Sequence, residues 1–406
     1  MPNRNSTTSA LITRIIKHAN LSSSKSETSL LNKYITEYYQ NVPLRDIKQR
    51  PLDDLASIAQ HHLKTAQFRP NNKTIVRVFN PSVKHGSEKP DTTVIEVVTD
   101  DMPFLVDSIN AELKRQGLII NLIIHPIISV DRSPAGSLKS IVAHGKGSAP
   151  ITQESFMYIE ISRQPETNHN KIKINVEKTL NDIRSAVSDW KPMRERLLSL
   201  IKTFSDAESR DTHLTSEACD FLKWVHDDHF IFLGYRNYTY IRAGKIIEAK
   251  MIKGSGLGIL CDQSRTVFEG LLDKKSTSPD VVALARHPEP IMVTKTNKRT
   301  TVHRHVHMDA IVIKRHNSEG VIIGQDIFIG LFTSTAYDCS PRDIPLLRQK
   351  FEYILNRGNF KPSSHNGKAL KRIVRSYPRD ELFQVSAEQL FTTVMGILHL
   401  QERQRV

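Results

Sequence analysis

The sequence predicts an α+β protein, and three stretches carry that reading. Val94, Ile95, Val97 and Val98 form a β-branched run that reads as a buried strand. Asp100, Asp101 and Pro103 end it, and Leu105, Ile109 and Leu113, with Val106 beside them, then set out a helix with one apolar face. Far downstream, Ala310–Lys314 and Val321–Phe332 make a hairpin across Asn317, Ser318, Glu319 and Gly320. Strands interleaved with helices on their faces satisfy both halves of this pattern.

The first stretch continues in the same manner. Asp101 is the expected N-cap of its helix and Gly117 the C-cap. Leu118–Val130 returns as an apolar strand bent at Pro126. Upstream, Leu30, Leu31, Tyr34, Ile35 and Tyr38 predict a helix stopped by Pro43. Pro51 opens another, with Leu52, Leu55, Ile58, Ala59 and Leu63 inward. Residues 1–70 are therefore expected to form a helical N-terminal cap. Thr74–Phe79 and Thr92–Thr99 read as strands. Ile141–His144 and Phe156–Ile161 are expected to pair as a hairpin across Gly145, Gly147 and Pro150. Helical spacing resumes at Val176, Leu180, Ile183 and Val187, is broken by Pro192 and continues at Leu197, Leu198 and Ile201. That order, over residues 71–205, is broadly ferredoxin-like.

A Ser- and Asp-rich link, Ser205–Thr212, precedes a second α/β region over residues 206–376 that contains the hairpin of 310–332. Ser340–Pro341 is expected to start a helix that Gly358 ends, with Leu347, Phe351, Ile354 and Leu355 facing inward. Ser386 with Gln389 makes a capping box for the last helix. Its Leu390, Val394, Ile397 and Leu398 form an apolar stripe with no later element to pack on.

Composition narrows the function. Of the 406 residues 39% are hydrophobic and 25% charged, as in an ordinary globular chain, and no apolar run approaches the ~20 residues of a membrane span. The N-terminus lacks the apolar core of a secretory signal. Cys219, Cys261 and Cys339 form no C-x-x-C pair, which fits reduced thiols in the cytoplasm. The net charge of +14 is spread along the chain among acidic residues, with no helix-turn-helix or ribonucleoprotein pattern, so nucleic acid is not the expected partner.

Cofactor motifs are equally informative. No strand–G-x-G-x-x-G–helix occurs, nor a G-x-x-x-x-G-K-[ST] loop. Gly254–Ser255–Gly256–Leu257–Gly258 follows a strand-like segment, but no helix opens after it, and it reads as a turn. His303, His305 and His307 alternate and on a strand would share a face, as zinc ligands can. No Cys lies nearby and no fourth ligand can be named, so no metal ligand is assigned. Lys295, Arg299, Arg304 and Lys314 make a basic region suited to an acidic neighbour.

Five runs carry a family resemblance: Val293–Thr294–Lys295–Thr296–Asn297, Thr301–Val302–His303–Arg304, Gly330–Leu331–Phe332–Thr333–Ser334, Ile344–Pro345–Leu346–Leu347–Arg348, and Tyr377–Pro378–Arg379–Asp380–Glu381–Leu382–Phe383–Gln384. They resemble the N-terminal region of large NAD-specific glutamate dehydrogenases, over most of the chain from about residue 30. The strand, Asp–x–Pro turn and helix of 92–117 resemble the start of an ACT domain, a small regulatory module.

The resemblance implies an ACT-like module over 71–205 and the truncated start of a further ACT-like module over 377–406. It implies a regulatory and assembly segment without catalytic residues or cofactor of its own. The glycine- and lysine-rich substrate segment of glutamate dehydrogenases is absent. The complete enzyme would use NAD to deaminate L-glutamate oxidatively to 2-oxoglutarate, in the cytoplasm, as a homo-oligomer. The chain's partners would be the catalytic portion or other subunits. In ACT domains a small amino acid can sit at the strand–helix turn, which makes Asp100, Asp101, Pro103 and Asp107 the candidate ligand or regulatory site. The ACT pattern favours Gly after that Pro; Phe104 stands there and is expected to fill the space and join the core. Lys295, Arg299, His303 and Arg304 are the candidate interface. The alternative, a free-standing amino-acid-sensing ACT protein, needs an open pocket beside Asp101.

Overall fold

The computed structural model describes residues 4–20, 25–81, 91–142, 151–207, 212–243, 246–267 and 289–403. They divide into two units, one of residues up to 183 with Thr301–His305, the other of 184–300 and 306 onward. In the first, α1 (Arg4–Asn20), α2 (Lys25–Tyr39), α3 (Leu44–Ile47) and α4 (Leu52–Ala66) precede β1 (Ile75–Phe79) and β2 (Thr92–Asp100). Then come α5 (Leu105–Arg115), β3 (Ile120–Ile124), β4 (Ile127–Arg132), β5 (Leu138–Val142), β6 (Thr152–Ser162) and α6 (Glu166–Ser188). The sheet is antiparallel, ordered β1-β2-β6-β4-β5, with β3 also on β6. β2 and β3, joined through α5, flank β6 and run opposite to it.

Two strand expectations change. The strand of 118–130 is two strands, because Pro126 has no N–H for the ladder. Its carbonyl still accepts from Phe156 at 3.0 Å, and both halves pair with β6, Ile124 opposite Tyr158 and Ile127 opposite Ser155. β5 pairs with β4, not with the strand of 156–161. The short Ser133–Ser137 turn, closed by the Ser133 N–H on the Ser137 carbonyl, brings β4 and β5 together locally. A short closure needs less ordering than a long one.

The N-terminal helices do more than cap. Tyr34, Tyr38, Leu55 and Ala59 share a core with Val94, Val98 and Phe156. Tyr34 meets Phe156 edge to face at 5.5 Å. The Tyr38 hydroxyl meets Nδ1 of His62 at 2.9 Å, and burial pushes His62 down to about 4, so that imidazole is neutral.

In the second unit, α7 (Trp190–Ala207) and α8 (Thr212–Trp224) lead through a π-helical turn, Val225–His229, into β7 (Phe230–Ala243). β8 (Ile246–Met251), β9 (Leu257–Gly258), β10 (Ile291–Arg299), β11 (His307–His316) and β12 (Ile322–Phe332) follow. The helix break falls at Asp189; Pro192 lies in the first turn of α7, where its missing N–H costs nothing. The antiparallel sheet runs β10-β11-β12-β7-β8, with β9 on β7, and β11–β12 is the expected hairpin. Positions two apart, Phe230 and Phe232, Ile311 and Ile313, bury against Leu197 and Leu200 of α7 and Phe221 of α8.

The chain continues through α9 (Ser334–Asp338), α10 (Leu347–Arg357), α11 (His365–Ser376), α12 (Arg379–Gln384) and α13 (Ala387–Arg403). α10 begins at Leu347 and not near Ser340, because Leu346 at φ 70 interrupts the helical path. Gly358 is its C-cap as expected, at φ −79, and the left-handed residue follows at Asn359 (φ 51). The Ser386–Gln389 capping box forms as expected. Its helix is covered, however: Leu390, Val394 and Leu398 are buried with Phe351, Leu355, Leu370 and Ile373. The stripe packs on the helices that precede it, so it is neither frayed nor left open. Among the described residues no helix is long and apolar enough to cross a membrane.

Candidate functional site

β2 carries Asp100 and Asp101 to the turn before α5, and the two carboxylates take different roles. Oδ1 of Asp100 accepts from Nη2 of Arg69 at 2.7 Å. Arg69 also binds Glu154, which receives Arg132 as well at 2.6 Å. Glu154 is fully buried and both guanidiniums nearly so. Two cations against two carboxylates balance; removing one would strand a buried charge. Asp100 is thereby committed to the fold.

Asp101 accepts the Ser155 hydroxyl at 2.6 Å, and Oγ of Ser155 lies 3.0 Å from Nε2 of His125. The single hydroxyl proton points to Asp101, so Ser155 accepts from His125 and that nitrogen carries the proton. Burial pushes the His125 imidazole below its usual value while Asp101 pulls it back. A serine whose proton lies on the acid is not the nucleophile of a hydrolytic triad.

Pro103 is exposed. Phe104, not Asp101, occupies the N-cap position, at φ 72 and without a side-chain cap. Its ring is half-buried, 5.2 Å from the His303 ring, so it does not join the core as expected. Glycine adopts a positive φ freely, which gives the ACT preference for Gly at this place a backbone cause.

The segment 301–305 lies against this turn. Its His303 N–H donates to Oγ of Ser108 at 2.8 Å, Ser108 donates to the Phe104 carbonyl at 2.6 Å, and Nδ1 of His303 is 3.2 Å from Oδ2 of Asp107. Thr301 anchors it to Asp182 at 2.6 Å. Asp107 and His303, assigned by the sequence to different candidate sites, therefore meet. His303 is in a turn at φ 66, and His307 opens β11 with Nδ1 3.0 Å from the Thr296 carbonyl. The alternating histidines thus do not share a strand face. Among the described residues no group of three His, Cys, Asp or Glu could hold a metal.

Lys295 and Arg299 belong to the second unit, His303 and Arg304 to the first. Nζ of Lys295 sits 2.7 Å from Asp309 and 3.0 Å from Asp380. Burial pushes Asp309 up to about 6 against the pull of Lys295. Arg299 and Arg304 are exposed.

The glycine cluster is a tight turn. A Cβ on Gly258, at φ 59, would lie 2.2 Å from the Leu233 carbonyl oxygen. Beyond it the carbonyls of Asp262 and Arg265 converge on the buried Arg236 guanidinium at 2.7 and 2.6 Å. Within the cluster the Gly258 N–H donates to Oδ2 of Asp189 at 2.7 Å, so that donor is spent inside the fold. Sequence reasoning missed Arg69, His125 and Ser155. Glu154 and Ser155, polar at the head of an apolar buried strand, were the available signal.

Two family models match the chain: the ACT1 domain of glutamate dehydrogenase over residues 34–176, and helical motif 1 of glutamate dehydrogenase over residues 344–403. The NAD-specific glutamate dehydrogenase of Halomonas elongata is 33% identical over 388 residues, covering 94% of this chain and 24% of that protein. The chain belongs to the NAD-specific glutamate dehydrogenase family. The Pseudomonas aeruginosa member is 31% identical over 92% of the chain and 23% of its own length. The Mycobacterium tuberculosis member is 24% identical over 84% of the chain and 20% of its own length. The chain thus spans about a quarter of the length of these glutamate dehydrogenases, and it matches their ACT-bearing N-terminal region. The Asp100–Asp107 turn lies inside the ACT1 match, and α10–α13 make up the helical motif.

Proposed function

We propose that this chain is the regulatory and assembly segment of an NAD-specific glutamate dehydrogenase. The complete enzyme converts L-glutamate, NAD and water to 2-oxoglutarate, ammonia and NADH, with NAD held outside this segment. One observation carries the reading: relatives that match 92–94% of the chain are about four times as long, and the matched part holds an ACT1 domain and a helical motif.

Within this reading, the turn of Asp101, Pro103 and Asp107 is the regulatory face, closed by His303, while Asp100 holds it to the Arg69 network. In the first unit Arg304, with His303, and in the second Arg299, with Lys295, are each offered to the catalytic portion or another subunit of a homo-oligomer in the cytoplasm. The purified chain, given L-glutamate and NAD, should form no NADH when absorbance is followed. Sustained NADH formation would overturn the assignment.

A further inference from the structure

Cys339 follows α9 directly, and its surroundings are those of a reactive thiol. Its Sγ lies 4.0 Å from Nε2 of His229. Nδ1 of that ring is 2.8 Å from the Trp224 carbonyl oxygen. A carbonyl accepts and never donates, so Nδ1 carries the proton and Nε2 offers its lone pair to the thiol. The ring is fixed as well: it stacks on Trp224 at 4.4 Å with planes 16° apart, and the His229 carbonyl accepts from Thr333 at 3.0 Å. A nucleophile, a base and a third group that orients the base make the arrangement that activates cysteine.

Arg379 supplies an independent observation. It opens α12, is 9% exposed, and its Nη2 donates to the Cys339 carbonyl at 2.9 Å. Its Nε and Nη1 are buried without a hydrogen-bond partner, and no carboxylate pairs with it among the described ion pairs. Burial first, then Arg375, push this guanidinium below the usual arginine value, and Cys339 opposes them. Buried donors left unpaired are rare in folded proteins and call for an acceptor. Cys339 is partly accessible, while Cys219 is buried and Cys261 exposed.

We infer that Cys339 is a modification site for hydrogen peroxide, where His229 takes the thiol proton and Arg379 donates to the oxygen that the sulfur acquires. In the step, sulfur attacks one peroxide oxygen, the S–O bond forms as O–O breaks, and sulfur gives up two electrons. The departing hydroxide receives the proton from His229 and leaves as water. The product is a sulfenic acid, reversible by thiols.

The folded chain, treated with hydrogen peroxide in the presence of dimedone, tests this by peptide mass spectrometry at all three cysteines. Dimedone should trap Cys339 roughly tenfold faster than the exposed Cys261, as an activated thiol requires. His229→Gln should bring Cys339 down towards the rate of Cys261, and Arg379→Lys, which loses the fork of donors, should lower it too. Equal or slower trapping at Cys339 in the unsubstituted chain overturns the inference without reference to any variant. So does an unchanged rate in a folded His229→Gln protein.

Discussion

Phe104 is where side chain and backbone make opposite demands. Its ring gains partial burial against His303, while its φ of 72 suits glycine. A left-handed backbone costs an ordinary residue about 1–2 kcal/mol. Phe104→Ala should therefore cost less than about 2 kcal/mol, below the ~3–5 kcal/mol of a fully buried ring. Phe104→Gly should be more stable than Phe104→Ala by about 1 kcal/mol, inverting the usual helix order. Urea unfolding of both variants decides it; Ala above Gly would contradict the left-handed backbone. Asp309 makes the second residue-scale prediction. Its carboxyl is pushed up to about 6, above the ~3.9 of an unfolded aspartate. The native chain keeps a proton that the unfolded chain releases, so this contribution is full below about pH 4 and lost as pH rises to about 6. Asp309→Asn should remove a fall of about 2–3 kcal/mol over that window. Equal slopes in the two proteins would contradict the buried, proton-holding carboxyl.

At the scale of elements, spacing within a few residues carries local structure and leaves distant pairings unmarked. The β2–α5 unit, the β11–β12 hairpin and the Ser386 capping box follow from spacing within a few residues, and all three form. The partner of β5 and the cover of α13 depend on which chain segments come together, and periodicity carries no such information. The candidate site divides in the same way. Its acidic turn was legible, but Arg69 reaches Glu154 across 85 residues and His303 reaches Asp107 across 196. α13 gives the clearest test. Leu390, Val394 and Leu398 are nearly fully buried, so Leu390→Ala should cost about 2–4 kcal/mol in thermal or urea unfolding. Deleting residues 386–406 should unfold the α10–α13 cluster. A stable, better-behaved truncated chain would instead mean that the helix is dispensable.

For the whole molecule, the net charge of +14 favours association with an acidic partner, weakening as salt screens it. The catalytic remainder of a glutamate dehydrogenase is the proposed partner. Sedimentation velocity of this chain mixed with the Halomonas elongata enzyme lacking its matched region tests the claim most directly. A complex that sediments faster than either component is expected at low salt. Independent sedimentation of the two, with each folded, would contradict it.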